Sequence, residues 1–402
     1  MQFAQLPSHQ GTRRSALWLP AAILLLLTAC SSSTSDPQQV QAHEVSMMAL
    51  GEKIFHDESL SASGHMACAT CHDKAHAFAQ SNPEAIPFGG PGLDQPGVRN
   101  TPSLEYLAFT PSFHFESDGT PVGGFNRDGR ASTLADQAVR PFLTSFEMDN
   151  TSAADVADKL AHATYANDFK VLFGDQIFAD ADQTFAAARQ ALQAYEELSP
   201  EFAPFNSKYD YFLAGKVQLS DQELRGLALF NNPDKGNCAA CHPSTGVNGN
   251  PPLFTDFTYD NLGVPRNPDI AANHDADYYD MGLCGPQRTD LSAHKDLCGA
   301  FKVPTLRNIA LTAPYFHNGK FNTLREVVSF YVRRDTNPEE FYPIGSNGLP
   351  QKFNDLPAQF TINVNTSEAP YNRHDGELPA LSSSEIDDVV AFLNTLTDGY
   401  HP

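Results

Sequence analysis

The chain of 402 residues has little positive charge, a single tryptophan and no apolar run long enough to cross a membrane. It holds 26 Lys and Arg against 48 Asp and Glu, a formal net charge of −22, which disfavours nucleic acid and anionic membrane surfaces as partners. Its one long apolar stretch, residues 16–29, is shorter than the roughly 20 residues that span a bilayer. Few segments alternate apolar and polar residues, which excludes a fold built mainly of β-strands.

The start of the sequence is typical of a secretion signal. Arg13 and Arg14 precede the apolar stretch, and Leu-Thr-Ala leads into Cys30, an ending that resembles a bacterial lipobox. We therefore expect residues 1–29 to be a lipoprotein signal peptide and Cys30 to carry the lipid that anchors the protein. An ordinary signal peptide with an incidental cysteine is the alternative.

The mature chain would begin with a polar segment of low complexity. Its composition predicts a flexible tether over residues 30–46. Removal of residues 1–29 takes away two arginines, no acidic residue and the only tryptophan, so the mature charge becomes 24 − 48 = −24.

Two segments of the mature chain look like copies of one unit. In each, a short helical pattern, at 50–55 and at 226–230, is followed by a C-x-x-C-H sequence. A further helix is predicted at 384–396, where Ser382 and Glu385 form a capping box.

The rest of the chain divides into helical and loop patterns. Residues 152–198 are rich in Ala, Leu, Gln and Glu, which predicts helices. Stretches rich in Gly, Pro, Asn and Asp predict long ordered loops at 81–128, 243–300 and 334–380. This composition predicts a mainly α fold of the c-type cytochrome kind, with a domain boundary within 200–215.

The two C-x-x-C-H sequences are the motifs that indicate a cofactor. Their residues are Cys68, Cys71 and His72 in the first copy and Cys238, Cys241 and His242 in the second. This is the attachment signature of haem c, in which the thiols bond to two vinyl groups and the adjacent histidine ligates the iron. A zinc site or a redox-active cysteine pair is the alternative, which two copies in an exported chain disfavour. We therefore expect two covalently bound haem c groups.

Two cysteines remain when the four haem cysteines and Cys30 are set aside. A disulfide between Cys284 and Cys298 would close a short loop in an oxidising compartment. Two free buried thiols are the alternative.

The order of further motifs resembles that of the bacterial di-haem cytochrome c peroxidase and MauG family over nearly the whole mature chain. After the first C-x-x-C-H come RNTPS at 99–103, DGRA at 128–131, Gln137, Pro141 and EM at 147–148. After the second come FKVPTLRN at 301–308, LTAPYFHNG at 311–319, and TL at 323–324 leading to Tyr331. The insertion from Cys284 to Gly299 and the lipoprotein start resemble the MbnH-like branch more than the shortest peroxidases of the family.

The resemblance implies two cytochrome c-like domains with long ordered loops and one haem c in each. The peroxidatic domain would span residues 47–205, and the electron-transfer domain would span 206–402.

Family residues on the distal side of the first haem match three positions here, Gln137, Pro141 and Glu147. A carboxylate beside an open iron can take a proton from H2O2 and return it to the leaving oxygen, so Glu147 is the expected acid and base. Pro141 would restrict the space over the iron. Residues 85–91, equivalent to a loop that carries a distal histidine in some members, contain none, so we expect an open first iron.

The second iron's further ligand distinguishes subtypes of the family. Peroxidases place methionine, and MauG tyrosine, at the position that Tyr331 occupies here. A phenolate would lower the reduction potential of the haem relative to a thioether. Met281, on a loop rich in Gly, Asp and Tyr, is the alternative ligand.

The family also binds calcium between its haems. The matching donors are the side chain of Asn100 and the carbonyls of Thr312 and Pro314, with water completing the oxygen shell.

One departure concerns the tryptophan that the family has just before Asp-Gly-Arg, between the two haems. Asn126 and Arg127 stand there instead. Either charge crosses by the haem edges and an aromatic residue such as Phe125 or Tyr315, or the sharing of charge between the haems is weak.

These features predict an H2O2-dependent di-haem oxidoreductase on the periplasmic side of a bacterial membrane. H2O2 would react at the N-terminal haem, and electrons would pass through the C-terminal haem from a small redox cytochrome, which the acidity predicts to be cationic. One alternative is MauG- or MbnH-like oxidation of a side chain on a partner protein. Another is a non-enzymatic di-haem electron carrier or sensor.

Overall fold

A computed structural model describes residues 37–246 and 249–402, and this part of the chain is mainly helical. The helices are α1 (Pro37–Phe55), α2 (Cys68–Cys71), α3 (Leu134–Gln137), α4 (Val139–Leu143), α5 (Ala153–His162), α6 (Ala166–Phe173), α7 (Ala181–Leu198), α8 (Lys208–Leu213), α9 (Asp221–Asn231), α10 (Leu324–Arg333) and α11 (Ser383–Asn394). The strands are β1 (Phe88–Gly89), β2 (Gln95–Pro96), β3 (His114–Phe115), β4 (Pro121–Val122), β5 (Tyr259–Asp260) and β6 (Phe301–Lys302). They form three two-stranded antiparallel pairs, joined to the helices by 3-10 turns and ordered loops.

The first half of the chain is built on the crossing of α1 and α7. A β-carbon on Gly51 would lie 2.0 Å from the carbonyl oxygen of Ala191, so only glycine permits this approach. Ser152 and Asp180 cap α5 and α7 with side-chain acceptors. The helices predicted within 152–198 are confirmed.

The second half repeats this crossing with α9 and α11. A β-carbon on Gly226 would lie 2.0 Å from the carbonyl oxygen of Asp388. The predicted capping box of Ser382 and Glu385 is present at the start of α11. The largest apolar cluster of the first half ends at Phe202, and that of the second begins at Tyr209.

The loop between β5 and β6 contains a disulfide. Cys284 and Cys298 are joined with an S–S distance of 1.99 Å, which confirms the expected pairing. Gln287 lies inside this loop and contacts the first half of the chain, as described below.

The structure tests only part of what the sequence predicts for residues 1–46. Helix α1 begins at Pro37, so the prediction of a flexible tether is wrong for residues 37–46. Three of these ten residues are Gln, and Ala42 and Glu44 are also good helix formers, which favours helix even on an exposed face. The expected signal peptide and the lipidated Cys30 lie outside the described residues. Within the described part of the chain, no helix combines the length and apolarity needed to cross a bilayer.

Candidate functional site

The first C-x-x-C-H sequence opens onto a cavity of about 150 Å³. One set of its lining residues comes from that sequence and another from α3, α4 and the loop after α4. These residues include Cys68, Cys71, His72, Gln137, Pro141 and Glu147. The fold thus gathers in one cavity the six residues that the sequence assigns to the first haem site.

His72 is oriented by the backbone around it. Its Nδ1 lies 2.8 Å from the carbonyl oxygen of Phe78, so Nδ1 carries the proton and Nε2 is left unprotonated. Its backbone N–H donates to the carbonyl of Cys68 at 2.9 Å, which closes the turn that brings thiol and imidazole together. Burial lowers the pKa of His72 to about 4. The ring is therefore a neutral imidazole, the form that ligates a metal.

The second C-x-x-C-H sequence repeats this geometry at a cavity of about 300 Å³. His242 Nδ1 lies 2.7 Å from the carbonyl oxygen of Phe254, and the His242 N–H donates to the carbonyl of Cys238 at 2.9 Å. Burial raises the pKa of the Cys238 thiol to about 12 and lowers that of His242. The two C-x-x-C-H sequences are therefore held by equivalent backbone contacts.

Tyr331 also lines the second cavity, whereas Met281 does not border it in the described structure. The Tyr331 side chain comes from α10 and packs between Phe316 and Tyr371, with ring centroids 5.9 Å and 6.1 Å away. Burial raises the pKa of its phenol, and so do the nearby Asp260 carboxylate and the thiols of Cys238 and Cys241. Of the two expected ligand candidates, only Tyr331 shares a cavity with His242.

The residues present fit two covalently attached haem c groups. Each cavity has two cysteines that form no disulfide and a histidine whose Nδ1 is held by a backbone carbonyl. The second cavity has mostly apolar walls. The half-buried cations Arg127 and Lys302 border it without a carboxylate partner among the described residues, and would suit the anionic carboxylates of haem.

Glu147 is the carboxylate that stands in the first cavity with the expected distal residues. Burial raises its pKa, and this effect is opposed by the charges of Arg140 and Arg130 and by a hydrogen bond from Thr144. The backbone of Glu147 is tied to the loop before it, because the Gly90 N–H donates to the Glu147 carbonyl at 2.8 Å. Among the described residues that line this cavity, His72 is the only histidine.

Arg140 is a residue of this cavity that the sequence did not indicate. Its Nη2 donates to Oε1 of Gln287 at 2.9 Å and its Nη1 to the Gln287 carbonyl at 3.3 Å. Gln287 belongs to the disulfide loop of the other half of the chain. The loop therefore holds a cation near Glu147, a contact across 147 positions that no local pattern reveals.

Two buried carboxyl groups beside the cavities were also not expected from the sequence. Burial raises the pKa of Glu196, which borders the first cavity, to about 8, and that of Glu105, which borders the second, to about 8. Glu196 follows Leu192 by four positions on the buried face of α7. An acidic residue among the apolar positions of one helix face can be recognised in the sequence and indicates a buried carboxyl group.

The two cavities share a wall that includes Asn100, Asn126, Arg127 and Gln137. Behind it lies a network of buried charges. Arg99 donates to both oxygens of Asp280, at 2.6 and 2.7 Å, and to Asp128 at 2.7 Å. Asp128 also accepts from Arg130.

Asn100, Thr312 and Pro314, the residues expected to bind calcium, all line the second cavity. The Oδ1 atom of Asn100 is already engaged, since Arg127 Nη2 donates to it at 2.6 Å. Calcium prefers six to eight oxygen ligands that include carboxylates. An amide oxygen bound by a guanidinium does not fit that requirement.

Comparison with known proteins places this architecture in a recognised group. The family described as di-haem cytochrome c peroxidase matches residues 45–218. The methylamine utilization protein MauG of Paracoccus denitrificans is 35% identical over 401 aligned positions, which cover 96% of this chain and 95% of that protein.

Two solved structures share the fold. The diheme peroxidase BthA from Burkholderia thailandensis has a TM-score of 0.81 at 39% identity, covering 90% of this chain and 87% of that one. A MauG-like protein associated with microbial copper homeostasis has a TM-score of 0.62 at 25% identity, covering 88% of this chain and 90% of that one. The MbnH-like placement stays a prediction.

Proposed function

The chain belongs to the di-haem cytochrome c peroxidase family, and on that premise we propose that it reduces H2O2 in the cavity of His72. The observation that carries the proposal is the position of Glu147 in the same cavity as His72, beside Gln137 and Pro141. When bound, the two haem c groups supply iron for peroxide binding and for electron transfer.

Glu147 is the acid and base of the proposed reaction. Its carboxylate takes a proton from one oxygen of H2O2 and delivers it to the other as the O–O bond breaks. The overall balance is H2O2 + 2 H⁺ + 2 e⁻ → 2 H2O. Arg130 and Arg140 limit the rise in the pKa of Glu147 that burial causes. Gln137 and Pro141 shape the space in which peroxide lies.

The second half of the chain, residues 206–402, is the proposed electron-transfer domain, and residues 47–205 form the peroxidatic domain. His242 and Tyr331 are the proposed ligands of the second iron. Electrons would enter here from a small redox cytochrome. We place the protein on the periplasmic side of a bacterial membrane, held by a lipid on Cys30 after removal of residues 1–29.

A second candidate function is H2O2-dependent oxidation of a side chain on a partner protein. Two observations favour it: the tyrosine in the second cavity and the similarity to MauG over nearly the whole chain. The replacement of the family tryptophan by Arg127 gives neither function an advantage.

The test is the fate of the two oxidising equivalents. Holoprotein is given H2O2 with reduced cytochrome c, and the oxidation of cytochrome c is followed at 550 nm. We expect two molecules of cytochrome c to be oxidised for each H2O2, with water as product. Cytochrome left reduced while intact-mass spectra of a partner protein gain oxidised species would favour the second candidate. No consumption of H2O2 in either assay would leave a di-haem electron carrier and refute the proposal.

A further inference from the structure

The side chain of Arg127 binds one of the three residues that the family resemblance assigns to a calcium ion, Asn100. Its Nη2 donates to Asn100 Oδ1 at 2.6 Å, and its Nε donates to the Asn100 backbone carbonyl at 3.2 Å. One guanidinium therefore engages both oxygens of the residue that would be a calcium ligand. Its planar donors are fixed in direction, so the interaction also sets the orientation of the Asn100 amide.

The surrounding charges oppose a further cation. Arg127 has no carboxylate partner among the described residues, and the nearby Arg99 acts on it unfavourably. Asp280, whose charge favours Arg127, is already bound through both oxygens by Arg99. Lys302 is a second half-buried cation, and it donates only to the carbonyl of Gly124.

The two carboxylates nearest to Arg127 in this network are already paired. Asp280 is bound by Arg99, and Asp128 is bound by Arg99 and Arg130. A divalent ion at Asn100 would find the amide oxygen occupied and would lie beside the positive charge of the Arg127 guanidinium. Like charges at short range in a poorly hydrated interior repel strongly.

We propose that the guanidinium of Arg127 replaces the calcium ion as a cation built into the wall between the two cavities. An arginine side chain stays protonated throughout the physiological range. The wall therefore keeps its charge and its geometry whatever the calcium concentration, and the holoprotein binds no calcium there. This inference does not depend on which substrate the protein oxidises.

The first experiment measures calcium in the holoprotein directly. Protein with two haems per chain is dialysed against calcium-free buffer, and calcium and iron are determined by plasma mass spectrometry. We expect two irons and far less than one calcium per chain. The midpoint of thermal unfolding and both haem potentials should be the same in EGTA and in added CaCl2. One calcium per chain, or a midpoint that falls in EGTA, would overturn the proposal.

The second experiment uses Arg127→Gln, which removes the charge and frees the Asn100 oxygens. We expect calcium to bind this variant and to raise its unfolding midpoint, while the wild type does not respond. Arg325→Gln is the matched control, because it removes an exposed cation remote from both cavities and should leave the protein indifferent to calcium. A folded Arg127→Gln variant that still binds no calcium would show that the guanidinium is not what excludes the ion.

Discussion

At the scale of single residues, the two histidines owe their orientation to phenylalanines in unusual backbone conformations. Phe78 and Phe254 have φ of 52° and 53°, in the left-handed region that bulky residues seldom adopt. Their carbonyls accept the Nδ1 protons of His72 and His242, which fixes the orientation of each ring. The spacing of C-x-x-C-H predicts the histidines, but nothing in it indicates which carbonyl orients them.

Glu147 is the residue on which the proposed chemistry depends. We expect Glu147→Gln to lower kcat/KM for H2O2 by about 10² to 10⁴, the usual contribution of a positioned acid and base. The rate must rise with pH as the base form appears, and because the pKa of Glu147 is raised by burial, this rise should be centred above the ordinary glutamate range.

The measurement is the pH profile of kcat/KM for both proteins. Glu116→Gln, at an exposed position, is the control and should behave as wild type. An unchanged profile in Glu147→Gln would remove this residue from the mechanism.

The reduction potential of the second haem can show whether Tyr331 or Met281 is the ligand of its iron. We expect Tyr331→Met to raise it by something on the order of 0.1 V, within the ~0.8 V range that axial ligands span. Met281→Leu should leave it unchanged, because Met281 does not border the cavity in the described structure. Spectroelectrochemical titration measures both. The reverse pattern would assign the ligand to Met281.

At the scale of elements, the same helix crossing is used twice. Gly51 lets α1 approach α7, and Gly226 lets α9 approach α11. The repeated sequence pattern predicted a repeated unit, and the helices and caps could be predicted because they depend on local spacing. The partner of each glycine could not, since α7 and α11 lie more than a hundred positions away from them.

Alanine at either glycine should destabilise the protein. A methyl group 2.0 Å from a backbone oxygen cannot be accommodated unless the helices move apart, which costs about 1–3 kcal/mol. The gain from the better helix propensity of alanine is only about 1 kcal/mol. We therefore expect Gly51→Ala and Gly226→Ala to lower the midpoint of thermal unfolding.

The control for this pair is Glu52→Ala, at an exposed position one residue along α1. It should leave the midpoint nearly unchanged. Equal midpoints for all three variants would mean that the close crossings do not limit stability.

The disulfide loop shows what local patterns miss at this scale. The cysteine count led to the pairing of Cys284 with Cys298, which the structure contains. The contact of Gln287 with Arg140 arises only when the two halves meet, so it is a property of tertiary packing. The same holds for α1, whose residues 37–46 have an unremarkable polar sequence and still continue a helix that is buried only further along.

At the scale of the whole molecule, the two halves meet at a shared wall that contains a cation, although the chain as a whole is acidic. The formal net charge is −22. A positive side chain, Arg127, therefore stands in the shared wall of an acidic protein. Its position could not be predicted from composition, since its contact with Asn100 joins residues 27 positions apart in two loops.

The acidity predicts an electrostatic dependence of donor binding. We expect the second-order rate with a cationic cytochrome c to fall by about 10-fold or more as salt rises from low to high ionic strength. An uncharged small reductant is the control and should react at a constant rate. The measurement is the second-order rate of oxidation of each donor, followed by stopped flow at several salt concentrations. Salt-insensitive rates with the cationic donor would argue against an acidic docking surface.

The central claim is that the haem site of His72 is open to H2O2 and is served by Glu147. The most direct test is the absorption and paramagnetic resonance spectrum of the resting ferric holoprotein, before and after H2O2 is added without reductant. We expect one high-spin and one low-spin haem, with the high-spin signal lost on addition of peroxide, and lost much more slowly in Glu147→Gln. Two low-spin haems that do not respond to peroxide would contradict the account.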